Sequence, residues 1–145
     1  MIKDILIVGL GSFIGGTLRY MLSIAFNKIV RTCTFPIGIL VVNVLGCFFI
    51  GVLYSYFKNR VGESLLPLLL MTGVLGGFTT FSTFSLEVLQ LYQQNELLKA
   101  ILYVIVSVGI GILACFLALN FSRLSANLAQ IFVKDYFCKS LKFTI

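Results

Sequence analysis

Charged residues divide this chain into four long apolar runs. Lys3 and Asp4 precede the first, 5–27, which holds a single charge, Arg19. Lys28 and Arg31 mark a short loop, and 32–57 follows without a charge. Lys58, Arg60 and Glu63 mark a second loop, and 64–86 is again uncharged. The stretch 87–99 carries Gln93, Gln94, Asn95 and Glu96 and reads as a polar connection; 100–122 is the last uncharged run. Each run exceeds the roughly 20 apolar residues a helix needs to cross a bilayer. Strand-like alternation is absent, and a helix satisfies its own backbone in lipid. The pattern predicts an all-α integral membrane domain over 1–123, with four spans and short loops. The length of the first run and its internal arginine argue for a span, not a cleaved signal.

Residues 124–145 are different in kind. Leu124, Leu128, Ile131, Phe132 and Tyr136 recur at helical spacing, and Arg123, Lys134, Lys139 and Lys142 add positive charge. This predicts a basic amphipathic tail on the membrane surface, with partial disorder as the alternative.

Composition narrows the function classes. Of 145 residues, 59% are hydrophobic and 11% charged, and there is no His; typical globular domains are about 25% charged. Mean hydropathy is +1.07. Such a chain cannot clothe a soluble surface, which excludes a soluble enzyme, a nucleic-acid-binding module and a disulfide-stapled secreted domain. The net charge of +6 is spread over loops and tail and suits anionic lipid headgroups. Four spans place both termini on one side, with Lys3, Lys58, Arg60, Arg123 and the tail lysines. Lys28, Arg31 and Lys99 lie on the other, so the charge bias points the termini to the cytoplasm. Without the tail lysines the two sides nearly balance, which permits insertion in both orientations.

Cys33, Cys47, Cys115 and Cys138 form no CxxC pair and have no His to join them, which argues against zinc or iron–sulfur. Cys47 and Cys115 fall in mid-span and read as small packing residues.

Polar groups within lipid are the first functional candidates. Asn43 sits in the middle of the second run and must face a partner helix, as interhelical glue, or a pathway. In the third run, 73–85 reads GVLGGFTTFSTFS. Paired glycines followed by hydroxyl residues weaken a helix there, and a broken helix at membrane depth belongs where it is buried or lines a cavity. Its freed carbonyls suit a cation. Phe78, Phe81 and Phe84 are spaced to share a helical face, and their electropositive ring edges suit an anion; ordinary packing explains phenylalanines equally well. Tyr103, Ser107 and Gly111 form either a donor stripe or a small-residue seam. Gly11 and Gly15 read as a close-packing pair. Arg19 lies about 12 Å from the end of its span, where it snorkels to the interface or draws anions to a vestibule. Glu87 ends the third run and reads as solvated or hydrogen-bonded at the interface.

Together, GGTLRY at 15–20, GILVVN at 38–43 and GGFTTFSTFS at 76–85 resemble the Fluc (CrcB-type) family of fluoride channels. The resemblance runs to about residue 123, and the third motif is its most specific part. It implies four-helix subunits with the third helix broken near its middle, paired as an antiparallel dual-topology dimer in the inner membrane. Each dimer has two narrow fluoride pathways and a central structural sodium ion. The sodium ligands map to the backbone carbonyls of Gly76 and Thr79, and the pore phenylalanines to Phe81 and Phe84. The pore amide maps to Asn43, and the polar track to Tyr103 and Ser107. The hydroxyls of Thr80 and Ser82 join these as donors replacing the water of a strongly hydrated anion. Arg19 and Glu87 match the family's charged positions. The implied role is passive fluoride export, which lowers its toxicity. Ile39 departs from the family's usual Thr, and Gly111 from a serine of some members. The partner is then a second copy or a paralogous subunit.

Other classes are less well supported. A non-conducting subunit would keep the fold and need a paralog to conduct. A small four-helix drug exporter needs an intramembrane carboxylate, which the first run lacks. An enzyme is least favoured, since no nucleophile–base pair or metal cluster is visible.

Overall fold

A computed structural model describes residues 1–29, 35–58 and 65–142, with side chains up to Phe121 in the last segment. Cys33, Arg31, Arg60, Glu63, and the tail side chains with Cys138, lie outside the described residues.

All regular structure among the described residues is helical. Four helices or helical stretches are long and apolar enough to cross a membrane: Ile2–Ile29, Ile37–Phe57, Leu65–Gln93 and Leu97–Phe121. The first is helix α1 and the second α2. The third comprises α3, over 65–78, and α4, Phe81–Gln93. Within α3, Leu68–Leu75 has the wider π-helical geometry. The fourth belongs to α5, Leu97–Lys142, which runs past the span without interruption.

Glycine sets how closely α1 and α3 approach. A Cβ on Gly11 would stand 2.7 Å from the Leu69 carbonyl oxygen, and one on Gly15 would strike the Val74 carbonyl. From the other side, a Cβ on Gly77 would meet the Ser12 carbonyl at 2.6 Å. Lipid gives apolar faces little reason to associate, so tight backbone contact carries much of the packing. The expected role of Gly11 and Gly15 holds. On the opposite flank α2 packs along α5, where a Cβ on Gly51 would stand 2.7 Å from the Cys115 carbonyl oxygen.

Turn chemistry closes the bundle. Asn27 Oδ1, near the end of α1, accepts the Gly38 N–H at 2.9 Å and so caps the start of α2 from a neighbouring helix. Asn95 ends α4 in the left-handed conformation, φ 61°, and the Glu96 N–H reaches back to the Leu91 carbonyl at 3.0 Å. This is the Schellman closure, with asparagine where glycine is commoner. The connection between the last two spans is therefore much shorter than the 87–99 read from polarity. Polar residues end the lipid-facing run but do not end a helix that continues into water.

Among the described residues, two apolar clusters fill the interior. Val42, Leu75 and Phe78 form one; Ile39, Phe84, Leu91, Ala100 and Tyr103 form the other. Phe78 and Phe84 thus fall in different clusters, and the three phenylalanines do not share one face. Their spacing applies to a continuous helix, and the backbone between Phe78 and Phe81 is not helical.

Candidate functional site

Thr79 and Thr80 are extended, with ψ of 149° and 122°. The Thr79 N–H still reaches the Leu75 carbonyl at 3.0 Å. The Thr80 N–H, which a continuous helix would direct at Gly76, goes instead to Asn43 Oδ1 at 2.9 Å. Asn43 Nδ2 donates back to the Thr80 carbonyl at 3.1 Å. One side-chain amide thereby satisfies both backbone groups of Thr80, which lipid could not. Thr80 in turn caps α4: its Oγ1 accepts the Thr83 N–H at 3.3 Å. One turn along α2, Gly46 leaves room for the Thr79 methyl, which a Cβ there would strike.

These elements enclose an open cleft of about 370 Å³. Asn43, Gly46 and Cys47 of α2 line it, with Gly76, Thr79 and Thr80 opposite. Phe81 and Phe84 of α4, Met71 of α3 and Ser107 of α5 complete the part that matters chemically. Phe81 is 79% exposed, whereas Phe84 is 8% exposed. Their rings lie 5.6 Å apart, and Phe84 leans on Tyr103 at 5.3 Å. The Ser107 hydroxyl is shielded from solvent and makes no close hydrogen bond, with the Tyr103 side chain as its polar neighbour. A buried hydroxyl without a close partner is costly until something engages it.

Of the sequence-predicted residues, Asn43, Gly76, Thr79, Thr80, Phe81, Phe84 and Ser107 meet at this cleft. The others lie apart from it. Ser82 is exposed, and its hydroxyl is 3.0 Å from Thr80 Oγ1. Tyr103 is fully buried behind Phe84, and its hydroxyl donates to Glu87 Oε2. Glu87 is therefore hydrogen-bonded within the bundle. Arg19, half-buried on α1, brings its guanidinium near Gly16 of the same helix. Ile39 packs with Phe84 and Tyr103 and offers no donor. Gly111 packs on Cys47, whose Sγ is 3.3 Å from where a Gly111 Cβ would stand.

Gly46 and Met71 were not singled out from sequence, and Cys47 was read there only as a small packing residue. Gly46 and Cys47 follow Asn43 by three and four residues, the spacing that shares a helical face, and could have been found by it. Met71 carried no comparable signal. Among the described residues no group of three or more His, Cys, Asp or Glu could hold a metal.

The family model described as CrcB-like protein, Camphor Resistance (CrcB), matches residues 6–119. A protein of Flavobacterium psychrophilum named fluoride-specific ion channel FluC is 41% identical over 122 residues, covering 83% of this chain and 98% of that protein. One of the same name from Azobacteroides pseudotrichonymphae is 42% identical over 118 residues, 81% of this chain and 94% of its own length. Another, from Oceanobacillus iheyensis, is 45% identical over 111 residues, with coverage of 76% and 84%.

Proposed function

This chain belongs to the CrcB family, and on that premise we propose that it is a fluoride-selective channel through which the ion leaves the cytoplasm down its gradient. It is a multi-pass protein of the inner membrane and not an enzyme.

The observation that carries the reading within this chain is the cleft itself, where Asn43, Phe81 and Phe84 meet Ser107, a serine whose buried hydroxyl has no close hydrogen-bond partner. Fluoride gives up strongly held water only to donors that replace it. The Ser107 O–H, which has no close partner, becomes such a donor when the side chain turns towards the cleft. The Asn43 amide has two N–H donors and spends one on Thr80, leaving one for the cleft. The ring edges of Phe81 and Phe84 add a weak positive field without a tight site, and conduction requires sites weak enough to leave. Thr80 and Ser82 supply further hydroxyls beside the cap of α4. Tyr103 backs Phe84, and with Glu87 it forms a bonded pair behind the pathway. Arg19 provides positive charge that draws anions towards its mouth.

The broken third helix is the proposed organiser of the site, and two oppositely inserted copies complete it. The exposure of Phe81 at an open cleft supports a partner that covers this face. A second copy is the simpler partner. Ile39, which places no donor beside Phe84, is the observation favouring a paralogous subunit.

A structural sodium ion fits the donors present. Gly76 and Thr79 line the cleft, and the Gly76 carbonyl has lost the Thr80 N–H that a continuous helix would give it. Two such oxygens from each of two copies make a hard, uncharged donor set suited to a small monovalent cation. Bound there, sodium would supply positive charge that ties the copies together. The Gly76 and Thr79 backbones hold the oxygens, and Asn43 fixes the geometry.

Growth tests the physiological role. A bacterial strain that has lost its own fluoride export should regain growth in fluoride at acidic pH when it makes this chain. Failure to regain growth despite membrane-inserted protein would contradict export by this chain alone.

A further inference from the structure

We propose that Phe35 gates the end of the fluoride pathway nearest the start of α2, closing it by packing on Tyr103. The proposal rests on the channel reading above and adds a residue to it. The register of α2 and α5 sets out the levels of the pathway. Cys47 stands against Gly111 and, one turn on, Gly51 stands against Cys115, so the two helices run in step in the same direction. One turn back from Cys47, that register sets Asn43 level with Ser107, and both line the cleft. One turn further back it sets Ile39 level with Tyr103. There the cleft has ended, and these two share a buried apolar cluster with Phe84. Phe35 comes next, just before α2, and packs against the same cluster. Its ring meets Tyr103 edge to face, with centroids 5.2 Å apart.

An anion leaving Ser107 towards this end finds no donor. Ile39 has none, and the one O–H of Tyr103 is spent on Glu87. The ion must therefore regain water there, and water is shut out while Tyr103 is fully buried. Phe35 is the member of this packing best placed to yield. Phe84 is held between the rings of Phe81 and Tyr103, and Tyr103 is tied to Glu87. Phe35 is only half-buried and lies outside the helix, in a turn where its carbonyl accepts the Ile37 N–H at 2.9 Å. When its ring swings off Tyr103, water reaches the level at which the ion must be rehydrated.

Fluoride efflux from liposomes holding the full-length chain tests the gate. Phe35→Ala should raise efflux over wild type by roughly 2- to 10-fold, the population change that losing one aromatic pair gives. Chloride should stay retained, because the cleft that selects is unchanged. Phe35→Leu keeps apolar bulk without the ring; it should move efflux the same way and serves if Phe35→Ala does not fold. A ring that merely supports the fold would lower efflux on removal, not raise it. Unchanged or reduced fluoride efflux from folded protein, or chloride release alongside fluoride, overturns the proposal. A thiol at the covered level reads closure without conduction. In a background with Cys33, Cys47, Cys115 and Cys138 replaced by alanine, Ile39→Cys should react with a charged methanethiosulfonate faster when combined with Phe35→Ala than with Phe35 intact. Equal rates also overturn the gate. Absence of fluoride efflux from the wild type would contradict the channel reading instead, and the thiol rates would still decide whether Phe35 closes this end.

Discussion

Asn43 holds Thr80 by two hydrogen bonds of opposite sense, accepting its N–H at 2.9 Å and donating to its carbonyl at 3.1 Å. The amide is therefore interhelical glue and cleft wall at once. Asn43→Leu strands both backbone groups, at about 1–3 kcal/mol each. It should lower the melting temperature in detergent as well as slow fluoride transport. A wild-type melting temperature with lost transport would confine the amide's role to the pathway.

Phe81 and Phe84 should separate function from stability. Phe81 is 79% exposed within the single chain, so Phe81→Ile should change the stability of the subunit's own fold by no more than about 0.5 kcal/mol while reducing fluoride flux. Phe84 packs against Phe81 and Tyr103, so Phe84→Ile should also cost stability, on the order of 1–3 kcal/mol. Unchanged flux in Phe81→Ile would remove Phe81 from the pathway.

The glycine contact between α1 and α3 predicts a sharp contrast within one helix. An added methyl on Gly15 meets backbone, which cannot move aside cheaply, whereas one on Gly9 meets nothing within 4 Å. Gly15→Ala should destabilise by about 1–3 kcal/mol or more. Gly9→Ala should be neutral or stabilising by up to about 1 kcal/mol through helix propensity. Equal melting temperatures for the two variants would mean that α1 does not pack as described.

Tyr103 and Glu87 should behave as a pair. A double-mutant cycle of Tyr103→Phe and Glu87→Gln, read by thermal unfolding, should give a coupling of roughly 0.5–3 kcal/mol, because the hydroxyl donates to the carboxyl inside the bundle. Additive losses would show that the two side chains act independently.

The four spans were legible because lipid penalises charge so strongly that Lys28, Lys58 and Lys99 mark their limits. Helix ends in water were not legible by that rule. Thus α4 continues through Glu87 to Gln93, and α5 runs on to Lys142. The close packing of Gly11 and Gly15 could be read from spacing alone. The partner of Asn43 could not, since nothing local to 38–43 points to a backbone unit at Thr80. Nor could the division of Phe78 from Phe84, because periodicity assumes a helix that continues. Gly46 and Cys47 were within reach of the same periodicity once Asn43 was taken as a wall of the site.

Fluoride efflux from liposomes containing only this purified chain tests the central claim most directly. Valinomycin provides the potassium shunt, a fluoride electrode follows release, and chloride efflux is measured in parallel. The account predicts rapid fluoride release without chloride release. Chloride release at a comparable rate, or no fluoride release from well-folded protein, would contradict a fluoride-selective channel formed by this chain.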